Sequence, residues 1–339
     1  MICICGGGTG GHLAIARALG AELKRRGVCV IFVGSQQGQD KMWFENSNIF
    51  TQKYFLASSG VANKSGFKRL FSLLNIIKLS FACISIFKKH KIKAVISVGG
   101  YSAAPAAFAA IASFKPLFIH EQNAHIGSLN ALLKPLAKKF FCSYDKNEPF
   151  DYPVRQEFFA LARIRSKCEC VLFLGGSQGA SAINALALAL APILNQRGVK
   201  IIHQCGAKEY ESVRAKYDEL GIKARIYDFS EQLPELMSRA DVCVSRAGAS
   251  SLWELCANAL PSVFIPYPYA AGDHQYYNAK FLADLGLAGL FRQESLAPSA
   301  VLEFIDNMDL ASISASLKEK INSGGSQKIV DEVLKNIKI

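Results

Sequence analysis

The chain has 339 residues, half of them hydrophobic and 19% charged, enough apolar material for two packed domains and too much for a disordered or low-complexity chain. Its net charge of +12 is one-sided: residues 1–150 carry 19 Lys and Arg against 6 Asp and Glu, whereas residues 151–339 carry 20 against 21. No acidic residue occurs between Glu45 and Glu121, which points to an anionic partner, either nucleic acid or an anionic membrane surface.

The opening MICICGGGTGG has no basic n-region and no cleavage pattern, so it does not read as a signal peptide. No charge-free apolar run reaches 18 residues, and a cytoplasmic chain is expected. The ten cysteines include two C-x-C pairs, Cys3/Cys5 and Cys168/Cys170. Period-2 spacing in apolar runs puts each pair on one strand face as buried thiols, and the absence of C-x-x-C excludes a zinc ribbon.

In chain order, Met1–Cys5 reads as a strand, followed by a Gly-rich turn and a helix to about Arg26. Val28–Val33 is a second strand, residues 67–89 are helical, and Ala94–Val98 and Pro116–His120 are strands. After a polar, Pro-containing stretch near 147–167 the pattern restarts. Cys168–Leu174 is a strand ahead of a Gly turn and a helix from about 180, and Lys200–His203, Ala224–Ile226, Val242–Ser245 and Ser262–Pro266 continue the strands. Pro234–Arg239 and Ser251–Ala259 read as intervening helices. ICICGGGTGG and VLFLGGSQGA echo one another as strand–turn–helix openings. The expected fold is therefore α/β, with two Rossmann-like, doubly wound parallel-sheet domains in tandem, 1–150 and 151–339, around a cleft.

Ligands of such sheets bind beyond the carboxyl ends of the strands, so the residues following each strand are the candidates. Gly6, Gly8 and Gly11 match G-x-G-x-x-G, but strand two ends in Gly34-Ser35 without the acid that a dinucleotide ribose requires, which weakens an oxidoreductase reading. The Thr9, Gly10, Gly11 turn still lets backbone approach a ligand, with His12 at the helix start serving as a functional or a capping residue. Gly175-Gly176-Ser177-Gln178-Gly179 suits a diphosphate, with a plain strand-to-helix turn as the alternative. In SRAGASSLWE, Glu254 suits a ribose diol, although Ser250 or Ser251 with Glu254 also forms a capping arrangement. Gly272-Asp273-His274-Gln275 and His120-Glu121-Gln122-Asn123 are polar clusters at strand ends, able to supply a base and sugar-binding amides or to be solvated loops.

In residues 65–93, Leu70, Leu74, Ile77, Phe81 and Ile84 recur at helical spacing and are expected in the core. Phe67 and Phe71, beside Lys64, Lys68, Arg69 and Lys78, would insert among anionic head groups, against the alternative of a solvated basic face. No recognised nucleic-acid module accompanies this charge, so a membrane surface is favoured over nucleic acid.

The motifs GGGTGGH, VGGYSAAP, HEQN, PVR, GGSQGA, SRAGASSLWE and DHQYYNA occur in this order. Together, over about residues 4–290, they resemble the MurG family of bacterial peptidoglycan glycosyltransferases. The resemblance implies the GT-B fold. It also implies inverting transfer of N-acetylglucosamine from UDP-N-acetylglucosamine to the C4 hydroxyl of the muramoyl sugar of lipid I, giving lipid II and UDP. The enzyme would act peripherally at the cytoplasmic face of the inner membrane, with its N-terminal domain on the anionic phospholipid surface, and a final helix around 312–337 would return to that domain. By motif, Thr9, Gly10 and Gly11 would lie near sugar and phosphates, Asn123 near the donor sugar, Arg155 near the nucleotide and Ser177 on the diphosphate. Ala249, Ser250, Ser251, Leu252 and Glu254 would hold the nucleoside, Ser230 would offer its backbone to uracil, and Gln275 would read the sugar hydroxyls. His12 would be the base, with Glu121 as its rival or orienting partner. Without an Asp-x-Asp, neither a cofactor nor an obligatory metal is expected. The family's longer loop after His12 is here shortened to Leu13-Ala14-Ile15-Ala16. Rival readings are another GT-B enzyme, such as a UDP-N-acetylglucosamine 2-epimerase, and a non-catalytic nucleotide-sugar binder.

Overall fold

The computed structural model describes residues 1–60, 66–145, 147–176 and 179–337. The chain divides into two compact units, Met1–Pro153 with Gly324–Ile339, and Val154–Ser323.

The first unit runs β1 (Ile2–Cys5), α1 (Gly10–Arg25), β2 (Val30–Ser35), α2 (Asp40–Phe44), β3 (Gln52–Leu56), α3 (Gly66–Lys89), β4 (Ala94–Ser97), α4 (Ala104–Ala112), β5 (Leu117–Glu121), α5 (Ser128–Leu133) and β6 (Lys139–Cys142). The second runs α6 (Gln156–Ala160), β7 (Cys170–Leu174), α7 (Ser181–Gln196), β8 (Lys200–Gln204), α8 (Tyr210–Glu219), β9 (Ala224–Tyr227), α9 (Leu233–Arg239), β10 (Val242–Ser245), α10 (Ala249–Ala257), β11 (Ser262–Phe264), α11 (His274–Ala283), β12 (Ala288–Leu290), α12 (Pro298–Asp306) and α13 (Leu310–Lys320). Helix α14 (Gly325–Lys335) belongs to the first unit.

Each unit has one six-stranded parallel sheet, ordered β3-β2-β1-β4-β5-β6 and β12-β11-β10-β7-β8-β9. Counted from β1 or β7, both are 3-2-1-4-5-6, the doubly wound order whose direction reverses beside the first strand. The central strands are buried on both faces, which is why they read as continuous apolar runs. Edge strands β3, β6 and β12 went unread: β3 is half-exposed and polar at its start, and β12 is only three residues long.

The second unit is the continuous stretch Val154–Ser323, and the last residues of the expected 151–339 domain, from Gly324 on, belong to the first unit. The helical region around 312–337 is two helices, and only α14 packs on α1, through an Arg26–Asp331 ion pair and a 3.3 Å hydrogen bond from Arg26 to the Gln327 carbonyl. A Cβ on Gly325 would lie 2.4 Å from the Asp151 carbonyl oxygen, so only glycine allows this crossing.

Helix α3 overturns the expected core stripe. Leu70, Leu74, Ile77 and Phe81 are all exposed, Phe81 by 68%, whereas Ser72, Ile76, Cys83 and Phe87 are buried. The helix is apolar around its whole circumference, so two stripes satisfied the 3.6-residue period. Packing chose the one whose small Ser72 and Cys83 allow close approach to the alanines of α4. The helix is long and apolar enough to cross a membrane, but Cys83 and Phe87 sit in the core of the first unit.

All ten cysteines are free thiols. Cys3 and Cys5 share the core with Cys83, and burial pushes their thiol pKa values up.

Candidate active site

Parallel strands collect the glycine-rich turns and polar strand-end clusters at the carboxyl edge of each sheet. In the first unit β1, β4 and β5 are adjacent, so Gly6–Thr9, Gly99–Tyr101 and Glu121–Asn123 emerge side by side.

The Gly-rich turn is tightly built. A Cβ on Gly100, whose φ is +79°, would lie 2.2 Å from the Gly7 carbonyl oxygen, and the Gly7 N–H donates to the Gly99 carbonyl at 3.1 Å. Asp40, at the start of α2, is fully buried, and its carboxylate accepts the Gly8 N–H and, at 2.8 Å, the Ser35 N–H. Burial raises its pKa, and these two N–H donors work against the rise. Tyr101 closes the same turn: its hydroxyl donates to the Gln37 carbonyl at 3.1 Å while its ring lies against Gly8. Neither Asp40 nor Tyr101 was singled out from the sequence. Asp40 belongs to no motif, and Tyr101 stands inside VGGYSAAP. Asp40→Ala would leave two backbone donors buried without an acceptor. The expected loss is about 2–4 kcal/mol of unfolding free energy, measured by denaturant titration; an unchanged midpoint would remove Asp40 as the anchor of the turn.

Helix α1 begins directly at Gly10, so the shortened segment after His12 forms its first turns, with Leu13, Ile15 and Ala16 buried. Thr9 makes no side-chain cap; its Oγ1 instead sits 2.9 Å from His12 Nδ1. The His12 ring packs closely enough that a Cβ on Gly99 would lie 3.2 Å from its Nε2 and 3.3 Å from Asn130 Nδ2. His120 is buried, and burial reinforced by His12 drops its pKa to about 3, so it is neutral.

Glu121 is 2% exposed and already engaged. Its carboxylate accepts the Asn123 N–H at 2.9 Å and the Asn123 amide at 3.4 Å, together with the Gly127 N–H at 3.0 Å and the Asn130 amide at 2.9 Å. These four bonds fold the 123–130 loop over the strand end, an organising role that sequence spacing did not reveal.

In the second unit β7, β10 and β11 are adjacent, which gathers the Gly175–Gly179 turn, the Arg246–Ser251 segment and the Pro266–Gln275 loop. Ser177 lies outside the described residues. Gly179 comes so close to the neighbouring chain that a Cβ would lie 2.5 Å from the Cys205 carbonyl oxygen. Ala249, Ser250 and Ser251 form the first turn of α10, and Glu254 lies one turn further on. Leu252 departs from its expected role: its side chain is fully buried and its N–H donates to Gly248 at 2.9 Å, leaving it a packing residue.

The Gln275 side-chain oxygen accepts the Tyr267 N–H at 2.9 Å, which turns its NH2 into the group available for recognition. Two unforeseen residues hold this loop. Arg246 donates to the Ile265 and Pro266 carbonyls, each at 3.0 Å, and to Gln293 at 2.7 Å. Buried Asn278 donates to the Ala247 carbonyl at 3.2 Å. Both stand inside SRAGASSLWE and DHQYYNA, so only the choice of residue was missed. Ser230 accepts the Gln232 N–H through its hydroxyl at 3.1 Å, and exposed Arg155 stacks over Phe158 with its guanidinium 5.2 Å from the ring centre.

Residues 2–142 match the model of the glycosyltransferase family 28 N-terminal domain, and residues 170–333 that of the family 28 C-terminal domain. The chain belongs to glycosyltransferase family 28. Its likeness to individual family 28 members extends end to end. It is 57% identical over 335 residues, 99% of this chain and 100% of the other, to a Campylobacter fetus subsp. fetus protein. That protein is named UDP-N-acetylglucosamine--N-acetylmuramyl-(pentapeptide) pyrophosphoryl-undecaprenol N-acetylglucosamine transferase. A Wolinella succinogenes protein of the same name is 49% identical over 334 residues, covering 98% of this chain and 99% of the other. The crystal structure of Acinetobacter baumannii MurG superposes with a TM-score of 0.80 at 29% identity, over 98% of this chain and 99% of that one. The two doubly wound sheets are therefore those of the GT-B fold.

Proposed function

We propose that this family 28 chain transfers N-acetylglucosamine from UDP-N-acetylglucosamine to the C4 hydroxyl of the muramoyl sugar of lipid I, releasing lipid II and UDP. The observation that carries the reading is likeness along the entire chain to transferases named for that reaction, with GGGTGGH, VGGYSAAP, HEQN and SRAGASSLWE each at a carboxyl strand end.

The reaction is a single displacement. The acceptor oxygen attacks the anomeric carbon opposite UDP, the bond to UDP breaks, and the α-linked donor gives a β-1,4 product. His12 takes the acceptor proton. In the tautomer whose Nδ1–H donates to Thr9, the lone pair lies on Nε2. Glu121 acts by positioning, because its oxygens are spent on the 123–130 loop that presents Asn123. N–H groups of Gly10, Gly11 and the α7 start, with Ser177, receive charge developing on the diphosphate. Ala249, Ser250, Ser251 and Glu254 take the nucleoside, Arg155 and the Ser230 backbone flank it, and Gln275 donates to the sugar hydroxyls.

The acceptor is lipid-linked, so the enzyme works peripherally at the cytoplasmic face of the inner membrane. The exposed face of α3 supports that placement. Phe67, Leu70, Phe71, Leu74, Ile77 and Phe81 form an apolar patch, with Lys68, Arg69 and Lys78 exposed beside them. Lys64, expected in the same patch, lies outside the described residues.

The reaction is tested by incubating the purified protein with radiolabelled UDP-N-acetylglucosamine and a lipid I analogue. Label is expected in the lipid-linked product; no transfer with donor binding intact refutes the proposed acceptor. Gln275→Ala should narrow the preference for UDP-N-acetylglucosamine over UDP-N-acetylgalactosamine by roughly tenfold or more, the worth of one sugar hydrogen bond. Unchanged selectivity in competition assays would sink the role given to Gln275.

A further inference from the structure

Behind the start of α7, side chains from three elements form a hydrogen-bonded chain that the transfer chemistry does not use. His203 of β8, Asn184 of α7 and Tyr217 of α8 are all buried. His203 Nδ1 lies 3.1 Å from the Tyr217 hydroxyl, and its Nε2 lies 3.0 Å from Asn184 Oδ1. The Asn184 amide donates to the Cys205 carbonyl at 3.1 Å and to Glu209 Oε2 at 2.9 Å, and the Ser181 hydroxyl donates to Glu209 Oε1.

The direction of each bond is fixed from the Glu209 end. A backbone carbonyl and a carboxylate only accept, so the Asn184 NH2 faces Cys205 and Glu209 and its oxygen faces His203. His203 therefore carries its proton on Nε2 and accepts the Tyr217 hydroxyl through Nδ1. Burial pulls the His203 pKa down to about 4, which keeps the ring neutral as this pattern requires.

The chain ends at the glycine-rich turn of the second unit. The Cys205 carbonyl that Asn184 holds is the one Gly179 rests against: a Cβ there would lie 2.5 Å from its oxygen, and Gly179 stands at φ +76° just ahead of α7. Beside it the Gly175 N–H donates to the Gln204 carbonyl at 3.0 Å. The bonds from Ser181 and Asn184 lower the Glu209 carboxyl pKa, so the group is an anion. A negative charge beside a helix start opposes an anionic ligand at that start. Its charge alone would weaken diphosphate binding, and only its hydrogen bonds can favour it. We propose that Glu209 and His203 are positioning residues for the donor: through Asn184 they fix the Cys205 carbonyl, Gly179 and the first turn of α7 so that N–H groups there meet the diphosphate of UDP-N-acetylglucosamine. This role rests on the reading of the α7 start as the diphosphate site and deepens it.

The test is calorimetric titration of the full-length protein with UDP, which needs neither acceptor nor turnover. Glu209→Ala, checked for an unchanged unfolding midpoint, should weaken UDP binding by roughly tenfold or more, about the worth of a hydrogen bond to a charged group. Glu209→Gln keeps both bonds, its oxygen toward Asn184 and its NH2 toward the Ser181 oxygen, while removing the charge. It should bind UDP as tightly as the wild type or tighter. A Glu209 that acted only through its charge would give tighter binding in Glu209→Ala. That result, unchanged binding in Glu209→Ala, or equal weakening in both variants overturns the proposal. A wild-type protein that does not bind UDP defeats the donor reading beneath it. The side-chain ¹⁵N resonances of His203 supply a readout independent of UDP. The Nε2–H tautomer is expected at neutral pH, and the opposite tautomer would break the chain and remove His203 from the role.

Discussion

His12→Ala is expected to lower turnover by about 10²- to 10⁴-fold while leaving the affinity for UDP-N-acetylglucosamine essentially unchanged. The imidazole is fixed by Thr9 at 2.9 Å and packed against Gly99, and it belongs to the first unit, whereas the residues proposed to hold the nucleoside belong to the second. Its removal therefore withdraws a proton acceptor without disturbing donor contacts, a loss that appears in kcat and not in donor KM. Glu121→Gln should behave differently. The substituted NH2 would oppose donors at whichever oxygen it replaces, either the Asn123 N–H and amide or the Gly127 N–H and Asn130 amide, so the 123–130 loop would shift and acceptor KM would rise together with a fall in kcat. Steady-state kinetics of both variants separate the two roles. Normal turnover in His12→Ala would eliminate it as the base, and a pure kcat defect in Glu121→Gln would return the base role to the carboxylate.

Arg165→Met should destabilise the second unit by about 3–5 kcal/mol. Arg165 is fully buried, and its guanidinium donates to the carbonyls of Ala240, Arg163, Asn258 and Met237 and, at 2.6 Å, to the Asn258 side chain. Burial pulls its pKa down to about 9, so the group is still a cation at neutral pH. Methionine fills similar space but leaves these oxygens buried and unpaired. The chain between α6 and β7 would then lose its tie to α9 and α10. Arg165→Lys keeps the charge without the planar fork and should recover only part of the loss. Denaturant unfolding with hydrogen exchange across residues 237–241 provides the readout. Near wild-type stability in Arg165→Met would show that the desolvation of the charge had already offset its hydrogen bonds.

The two predictions differ in how visible their residues were. His12 lies in a Gly-rich turn after a strand, and chain order alone brings it to notice. Arg165 sits in a polar stretch with no motif, and apart from the Arg163 carbonyl the partners of its guanidinium lie 72 to 93 residues away, so no local pattern could mark it. Asp40 belongs to no motif, yet it ties the turn that the glycines form.

What the sequence determined by itself was the sheet architecture and the set of functional loops. Buried parallel strands need unbroken apolar runs, and turns that bring backbone close to a ligand need glycine, so both are written locally. Only the tertiary structure decided which side of α3 faces solvent, because a helix apolar all round has no preferred face until α4 packs against it. It likewise decided that Glu121 organises a loop, that Leu252 is core, and that α14 leaves the second unit for α1. Each of these depends on which atoms meet across long chain separations, and that is settled by packing and by satisfying buried polar groups rather than by any residue's neighbours in the chain.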